Sequence, residues 1–349
     1  MTNQELHEIQ TSAGATFAAS STGRNIPVSF GNDREAIAAT KTGAALCDRS
    51  HWGRIQISGD DRLRFLHNQS TNNFNILKPG QGCDTVFVTS TARTIDLATA
   101  FATEDAVLLL VSPQRCKQLL ELLDRYIFPM DRVELTDLTE TTVTFSLIGP
   151  ESNKLLEKFG VSGLEDLPYG AHQSIDLAGM EVRIAVGSGL ASPGCTLIAT
   201  ASDGANLWNE LVKVGAVPMG DRVWEQLRIE QGRPAPDFEL TDDYNPLEAR
   251  LLHTISYEKG CYIGQETIAR LNTYKGVKQQ LWGVRLSGLV EPGTAVSIAD
   301  EKVGKLTSFT ETESGCFGLA YIRTKAGGEG LKVQVSEVSG EVVNVPFLS

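Results

Sequence analysis

Apolar residues recur along the chain in two periods, and the switches between them mark out its elements. Ile55 and Ile57 alternate with polar neighbours as in a strand, and Asp60 or Asp61 then stands where a helix cap belongs, ahead of Leu63 and Leu66. Strands are predicted at 84–89, 94–101 and 106–111. Ser112-Pro113 predicts a helix start, because proline is tolerated in a first helical turn. Cys116, Leu119, Leu120, Leu123 and Ile127 continue it at helical spacing, and Val133 and Leu135 predict the closing strand. That order resembles a split β-α-β unit.

The order then repeats. Val143, Phe145 and Leu147 alternate, Pro150-Glu151 opens a helix ending near Gly160, and strands follow at 180–186 and 195–200. A further helix from about Gly204 turns Leu207, Trp208, Leu211 and Val212 inward and stops at Gly215. The segment 221–233 reads as a capped helix with Trp224 and Leu227 inward. From about Val277 the character changes to short β runs at 281–286, 303–309, 317–322, 331–335 and 342–347, the pattern of a small barrel or sandwich. The fold class is therefore α+β, with a boundary between Leu271 and Gln280.

Composition narrows the function. The 349 residues carry a formal net charge of -12, which opposes binding to a phosphate backbone and argues against direct nucleic-acid contact. Cys47, Cys83, Cys116, Cys195, Cys261 and Cys316 are scattered singly, so neither a disulfide framework nor a zinc site is predicted, and a reducing, cytoplasmic compartment fits. The first fourteen residues lack the apolar block of a secretory signal, and the aliphatic run 106–111 is too short to cross a bilayer. The expectation is a soluble protein without membrane contact. The five histidines have no metal-ligand spacing, and no P-loop, dinucleotide fingerprint or nucleophile elbow occurs. No metal ligand is predicted.

Four residues remain as candidates for chemistry. Lys259-Gly260-Cys261-Tyr262-Ile263-Gly264-Gln265-Glu266 places a cysteine beside a cation and ahead of a helix beginning near Gly264, a setting that favours a thiolate; a small packed hydrophobe is the alternative. Glu230 precedes a Pro-rich turn. If buried, its carboxylate suits a planar group with two adjacent N–H donors, such as a pterin edge; a solvated surface group is the other reading. Asp96 interrupts an apolar strand, either on its outward face or as a carboxylate near a ligand nitrogen.

Taken together these stretches resemble the folate-dependent family that contains the glycine-cleavage T protein, an aminomethyltransferase. The Lys259-to-Glu266 motif is similar to the signature of its YgfZ branch, which supports assembly and repair of iron-sulfur proteins. Leu46-Cys47-Asp48-Arg49-Ser50-His51-Trp52-Gly53-Arg54 and Leu227-Arg228-Ile229-Glu230-Gln231-Gly232 resemble two further family stretches. The resemblance implies a ring of three modules: two interlocked split β-α-β units within 1–275 (about 51–137, and about 1–50 with 138–275) and a β-barrel over 276–349. It also implies tetrahydrofolate or a one-carbon derivative as ligand, with Glu230 on the pterin, Asp96 near the reacting nitrogen and Lys259 near the folate tail. Cys261 is the candidate reactive thiol. Lysine in place of the transferase's arginine offers a point charge rather than a fork, and Ile95-Asp96-Leu97 replaces a tandem Asp-Asp.

The resemblance favours a folate-binding accessory factor that works as a monomer with iron-sulfur proteins or their assembly factors. A folate-dependent aminomethyl transferase is the alternative, and a ligand-free interaction scaffold the third. Tyr262 and Tyr274 could stack on a flat ligand or simply pack, and Glu266 with Arg270 reads as a surface pair.

Overall fold

In the computed structural model, which describes residues 2–19, 24–274 and 276–347, the chain mixes α and β structure and ends in a closed barrel. It divides into two compact units. The first comprises Met1–Leu66, Phe74–Asp84 and Ala98–Trp224; the second comprises His67–Asn73, Thr85–Leu97 and Glu225–Ser349.

The first unit holds a six-stranded sheet in the order His172–Leu177, Met180–Val186, Gly194–Thr200, Thr142–Ile148, Ala45–Asp48, Val217–Met219. Ala45–Asp48 pairs antiparallel with Thr142–Ile148 and parallel with Val217–Met219, so a segment from the first fifty residues completes the sheet of the second strand-helix pass. Leu46, Phe145, Leu147, Leu197 and Trp208 are all but fully buried in its core, and Phe145 meets Trp208 edge-on at 5.4 Å. Burying such side chains is the main favourable term, about 1.5–3 kcal/mol each.

A five-stranded antiparallel sheet runs in the order Gly82–Val88, Thr94–Ala102, Ala106–Val111, Gly53–Ser58, Glu134–Asp137. The division between the units passes through its first two strands. The helix expected at Ser112-Pro113 begins only at Cys116, because Gln114 takes a left-handed φ of 66° that a helix cannot continue through; it ends at Asp124, before Ile127.

The second unit contains the barrel, closed in the order Gln279–Leu286, Gly315–Arg323, Glu301–Thr312, Ala295–Ile298, Lys332–Val335, Val338–Val343. Closure leaves no unpaired edge. Its interior is aliphatic, with Val284, Val296, Leu306, Ala320, Ile322, Val335 and Val342 fully buried. Among the described residues no helix is long and apolar enough to cross a membrane, and no cluster of His, Cys, Asp and Glu could hold a metal ion.

Candidate functional site

All four residues singled out in the sequence, Asp96, Glu230, Lys259 and Cys261, belong to the second unit. Asp96 lies in the strand Thr94–Ala102 and is completely buried, which rules out the outward-facing reading. A carboxylate in such surroundings is costly unless something specific holds it.

Glu230 is the last residue of the helix Asp221–Glu230 and is half-buried. The helix ends there because Gly232 takes φ 75°, with Arg233 N–H donating to Arg228 O at 2.8 Å and Gly232 N–H to Ile229 O at 3.2 Å, the two bonds of a Schellman motif. A side chain at Gly232 would lie 2.6 Å from Val345, so glycine is required by space as well as by φ. The Glu230 carboxylate accepts a 3.3 Å hydrogen bond from Gln226 Nε2, one turn earlier on the helix, and has acceptor capacity beyond it.

Arg228, which is not among the four sequence candidates, anchors this end of the helix. Its guanidinium is buried and donates to Glu225 (2.7 and 2.5 Å), Glu239 Oε2 (2.9 Å) and Ser308 Oγ (2.8 Å). Glu239 is itself fully buried and also accepts from Ser308 Oγ (2.6 Å) and the Ala235 N–H (3.0 Å). Burial alone would lower the guanidinium's pKa, but Glu239 and Glu225 outweigh it and hold the group above its usual range. The signal was in the sequence: Arg228 follows the inward Trp224 by four, and so shares its helix face.

Lys259 is buried. Its ammonium donates to the backbone carbonyls of His67, Ser70 (2.7 Å) and Asn72 (2.7 Å), and its Nζ sits 4.5 Å from the centre of the Tyr262 ring. Three donors meet three carbonyls, the first in the last turn of the helix Arg62–Gln69, where carbonyls lack intrahelical partners. This differs from the expectation of a cation near a ligand tail or beside a thiolate, because all three N–H bonds are engaged by the 67–72 turn. Tyr262 is buried, and that burial pushes its phenol up to about 12. Cys261, between these two anchors, is exposed.

Gly264 takes φ 81° at the start of the helix Gln265–Thr273, as the sequence predicted. A Cβ there would lie 2.9 Å from both Thr89 O and Val88 Cγ2. Tyr274 is exposed, whereas Tyr262 packs with Ala92, Leu247, Ile255 and Ile268.

The Asp48-to-Arg54 stretch lies in the first unit and is largely consumed in holding its own turn. Asp48 Oδ1 accepts from Ser50 N–H at 2.8 Å, and the buried Arg54 donates to Thr142 Oγ1 (2.7 Å) and to the carbonyls of Ser50, Trp52, Thr139 and Thr142. Arg49 stacks 3.8 Å from the Trp52 ring and 4.4 Å from the Trp224 ring. Burial, then Arg49, Arg54 and Arg24, drive the His51 pKa from 6.5 down to about 3.

A pH dependence follows. The folded state keeps His51 neutral while the unfolded chain takes up a proton below about pH 6.5, so the stabilisation is complete above that pH. It is lost as pH falls toward 3, at up to about 1.4 kcal/mol per pH unit. His172, lowered to about 4 by burial and Arg183, acts in the same direction. Urea unfolding at pH 7, 6 and 5 checks this, with a shallower decline expected for His51→Gln.

Comparison with known proteins shows what this arrangement belongs to. Residues 6–259 match the family profile described as the GCVT N-terminal domain. A chloroplastic Arabidopsis thaliana protein whose name calls it a candidate transferase is 50% identical over 324 residues, spanning 92% of this chain and 75% of that one. An aminomethyltransferase of Halalkalibacterium halodurans is 26% identical over 336 residues, 92% of this chain and 91% of its own. The crystal structure of the glycine cleavage system aminomethyltransferase T from Bartonella henselae has the same fold, with a TM-score of 0.86 over 98% of this chain and 96% of that one, at 20% identity.

Proposed function

The chain belongs to the GCVT-domain family, and on that premise we propose that it binds a reduced folate and transfers a folate-linked one-carbon unit, as an aminomethyltransferase-like enzyme. Glu230 accepts the paired N–H donors of the pterin edge, and Asp96 holds or exchanges a proton at a ligand nitrogen. Bound tetrahydrofolate would supply the one-carbon carrier. The protein's part is to orient that carrier and control the proton.

The observation that carries this reading is Asp96, a fully buried carboxylate in an otherwise apolar strand, in the same compact unit as the half-buried Glu230. Fit to the ligand is supported by the spare acceptor capacity of Glu230 beside its 3.3 Å bond from Gln226. The test is turnover of tetrahydrofolate with an aminomethyl donor. Asp96→Asn should lower the rate by roughly 100-fold, within the usual worth of a positioned acid or base, while leaving folate affinity nearly unchanged. A rate unaffected by Asp96→Asn would remove the residue from the reaction.

A second reading, an accessory role in assembly or repair of iron-sulfur proteins, is favoured by Cys261: its thiol is exposed between two buried anchors, Lys259 and Tyr262. The readings diverge on Cys261→Ser. Transferase turnover should persist in that variant, whereas an accessory role predicts loss of rescue in cells lacking this function.

A further inference from the structure

One end of the barrel, within the second unit, carries a cleft of about 650 Å³. Three segments meet there: the connection 287–294, the last residues of the strand Glu301–Thr312, and the turn joining Lys332–Val335 to Val338–Val343. The sheet register brings them to the same end, since Leu286 pairs with both Gly340 and Cys316, and Cys316 with Glu311.

The walls are apolar. Val290, Phe309 and Val338 are half-buried against the barrel core, Pro292 is exposed, and Leu289 stands 66% exposed. A single exposed leucine is ordinary on a protein surface, but one set in a concave apolar lining marks a place where something docks. The connection is also held in shape. Gly293 N–H donates to Leu306 O at 2.7 Å, Leu306 N–H to Thr294 O at 2.9 Å, and Thr294 Oγ1 to Glu291 O at 2.6 Å. A wall already fixed spares a partner the cost of ordering it.

Charge says what that partner carries. Glu291, Glu311 and Glu337 line the same cleft, all exposed, and none of them has an ion pair among the described residues. No Lys, Arg or His is among the lining residues. Elsewhere on this barrel Glu341 is matched by Lys332 at 2.8 Å. Three unmatched carboxylates around one apolar cleft repel each other and favour an incoming cation.

We propose that this cleft docks a basic segment of a partner protein, with one apolar side chain seated among Leu289, Phe309 and Val338 and flanking lysines or arginines set against Glu291, Glu311 and Glu337. An apolar anchor in a pocket supplies the affinity, and the charged rim supplies the selection. A second copy bringing this same face would oppose carboxylate to carboxylate. An anionic lipid surface meets the same repulsion.

The test selects random displayed peptides on the full-length protein, with counter-selection on Leu289→Ser, and follows the winners by NMR of Leu and Val methyl groups. Selected peptides should share a leucine, phenylalanine or methionine flanked by lysine or arginine. They should shift the Leu289, Val290 and Val338 methyls saturably and bind more weakly as salt rises. Leu289→Ser should weaken binding roughly tenfold through lost apolar burial. Glu337→Gln should weaken it up to about fivefold, the worth of an exposed ion pair, and replacing all three glutamates by glutamine should abolish the salt dependence. Both single substitutions are at exposed positions, so melting behaviour should match wild type. An acidic or uncharged consensus would overturn the proposal, as would the lack of any selected peptide that moves these methyls. A wild-type dimer that Leu289→Ser dissociates would also overturn it, by giving the cleft to a second copy.

Discussion

Replacing Arg228 by Met is expected to destabilise the second unit by about 3–5 kcal/mol, the usual consequence of removing one partner of a buried ion pair. The loss arises less from the missing attraction than from what remains. Glu239 is fully buried, and without the guanidinium its carboxylate keeps, among the described residues, Ser308 Oγ and the Ala235 N–H. Glu239→Met in the Arg228→Met background should therefore recover part of the stability, giving a double-mutant cycle with strong coupling. Urea unfolding of the four proteins provides the check; additive losses would show that the pair does not act as a unit. A functional consequence follows from placement. Arg228 lies in the last turn before Glu230, so Arg228→Met should also weaken folate binding, and the double variant should restore stability more than affinity.

Lys259→Met is expected to cost a similar amount, about 3–5 kcal/mol, by leaving the carbonyls of His67, Ser70 and Asn72 without their donor. Arginine should not substitute, since a planar fork cannot direct three N–H bonds to one compact point as an ammonium does. A chemical control separates this account from simple loss of packing. In Lys259→Ala, added methylammonium or ethylammonium should raise the melting temperature, whereas tetramethylammonium, which has no N–H, should not. Equal effects of the two kinds of ion would indicate that the carbonyl cage is not what Lys259 serves.

These two residues also show where reading the sequence stops. Periodicity located the strands at Ile55, Val143 and Met180, the helix from Gly204 and most barrel strands, because each has an apolar face that its own spacing reveals. It did not find Ala45–Asp48 or Val217–Met219. Both are short, and their pairing joins segments more than 170 residues apart, a relation no local window contains. Ala295–Ile298 escaped for a related reason: only Val296 of its four residues is buried.

The site was legible in part. Residue pattern singles out Asp96, Glu230 and Cys261 and the family resemblance adds their roles, but whether a carboxylate faces solvent or core is a property of packing, and only the fold shows Asp96 buried. Lys259 was visible as a cation near a cysteine; its actual partners are carbonyls nearly 190 residues earlier. Arg228 could have been suspected from the inward helix face it shares with Trp224, whereas Glu239 and Ser308 lie on other segments and only folding brings them to it.

The central claim is that this chain holds a reduced folate through Glu230. Isothermal titration with tetrahydrofolate tests it most directly, run in parallel on the wild-type protein and Glu230→Ala. A carboxylate bonded to paired N–H donors is worth about 1.5–3 kcal/mol, so the substitution should weaken binding by roughly 10- to 100-fold while melting behaviour stays near wild type. No heat of binding in the wild-type protein, or equal affinity in the two, would contradict it.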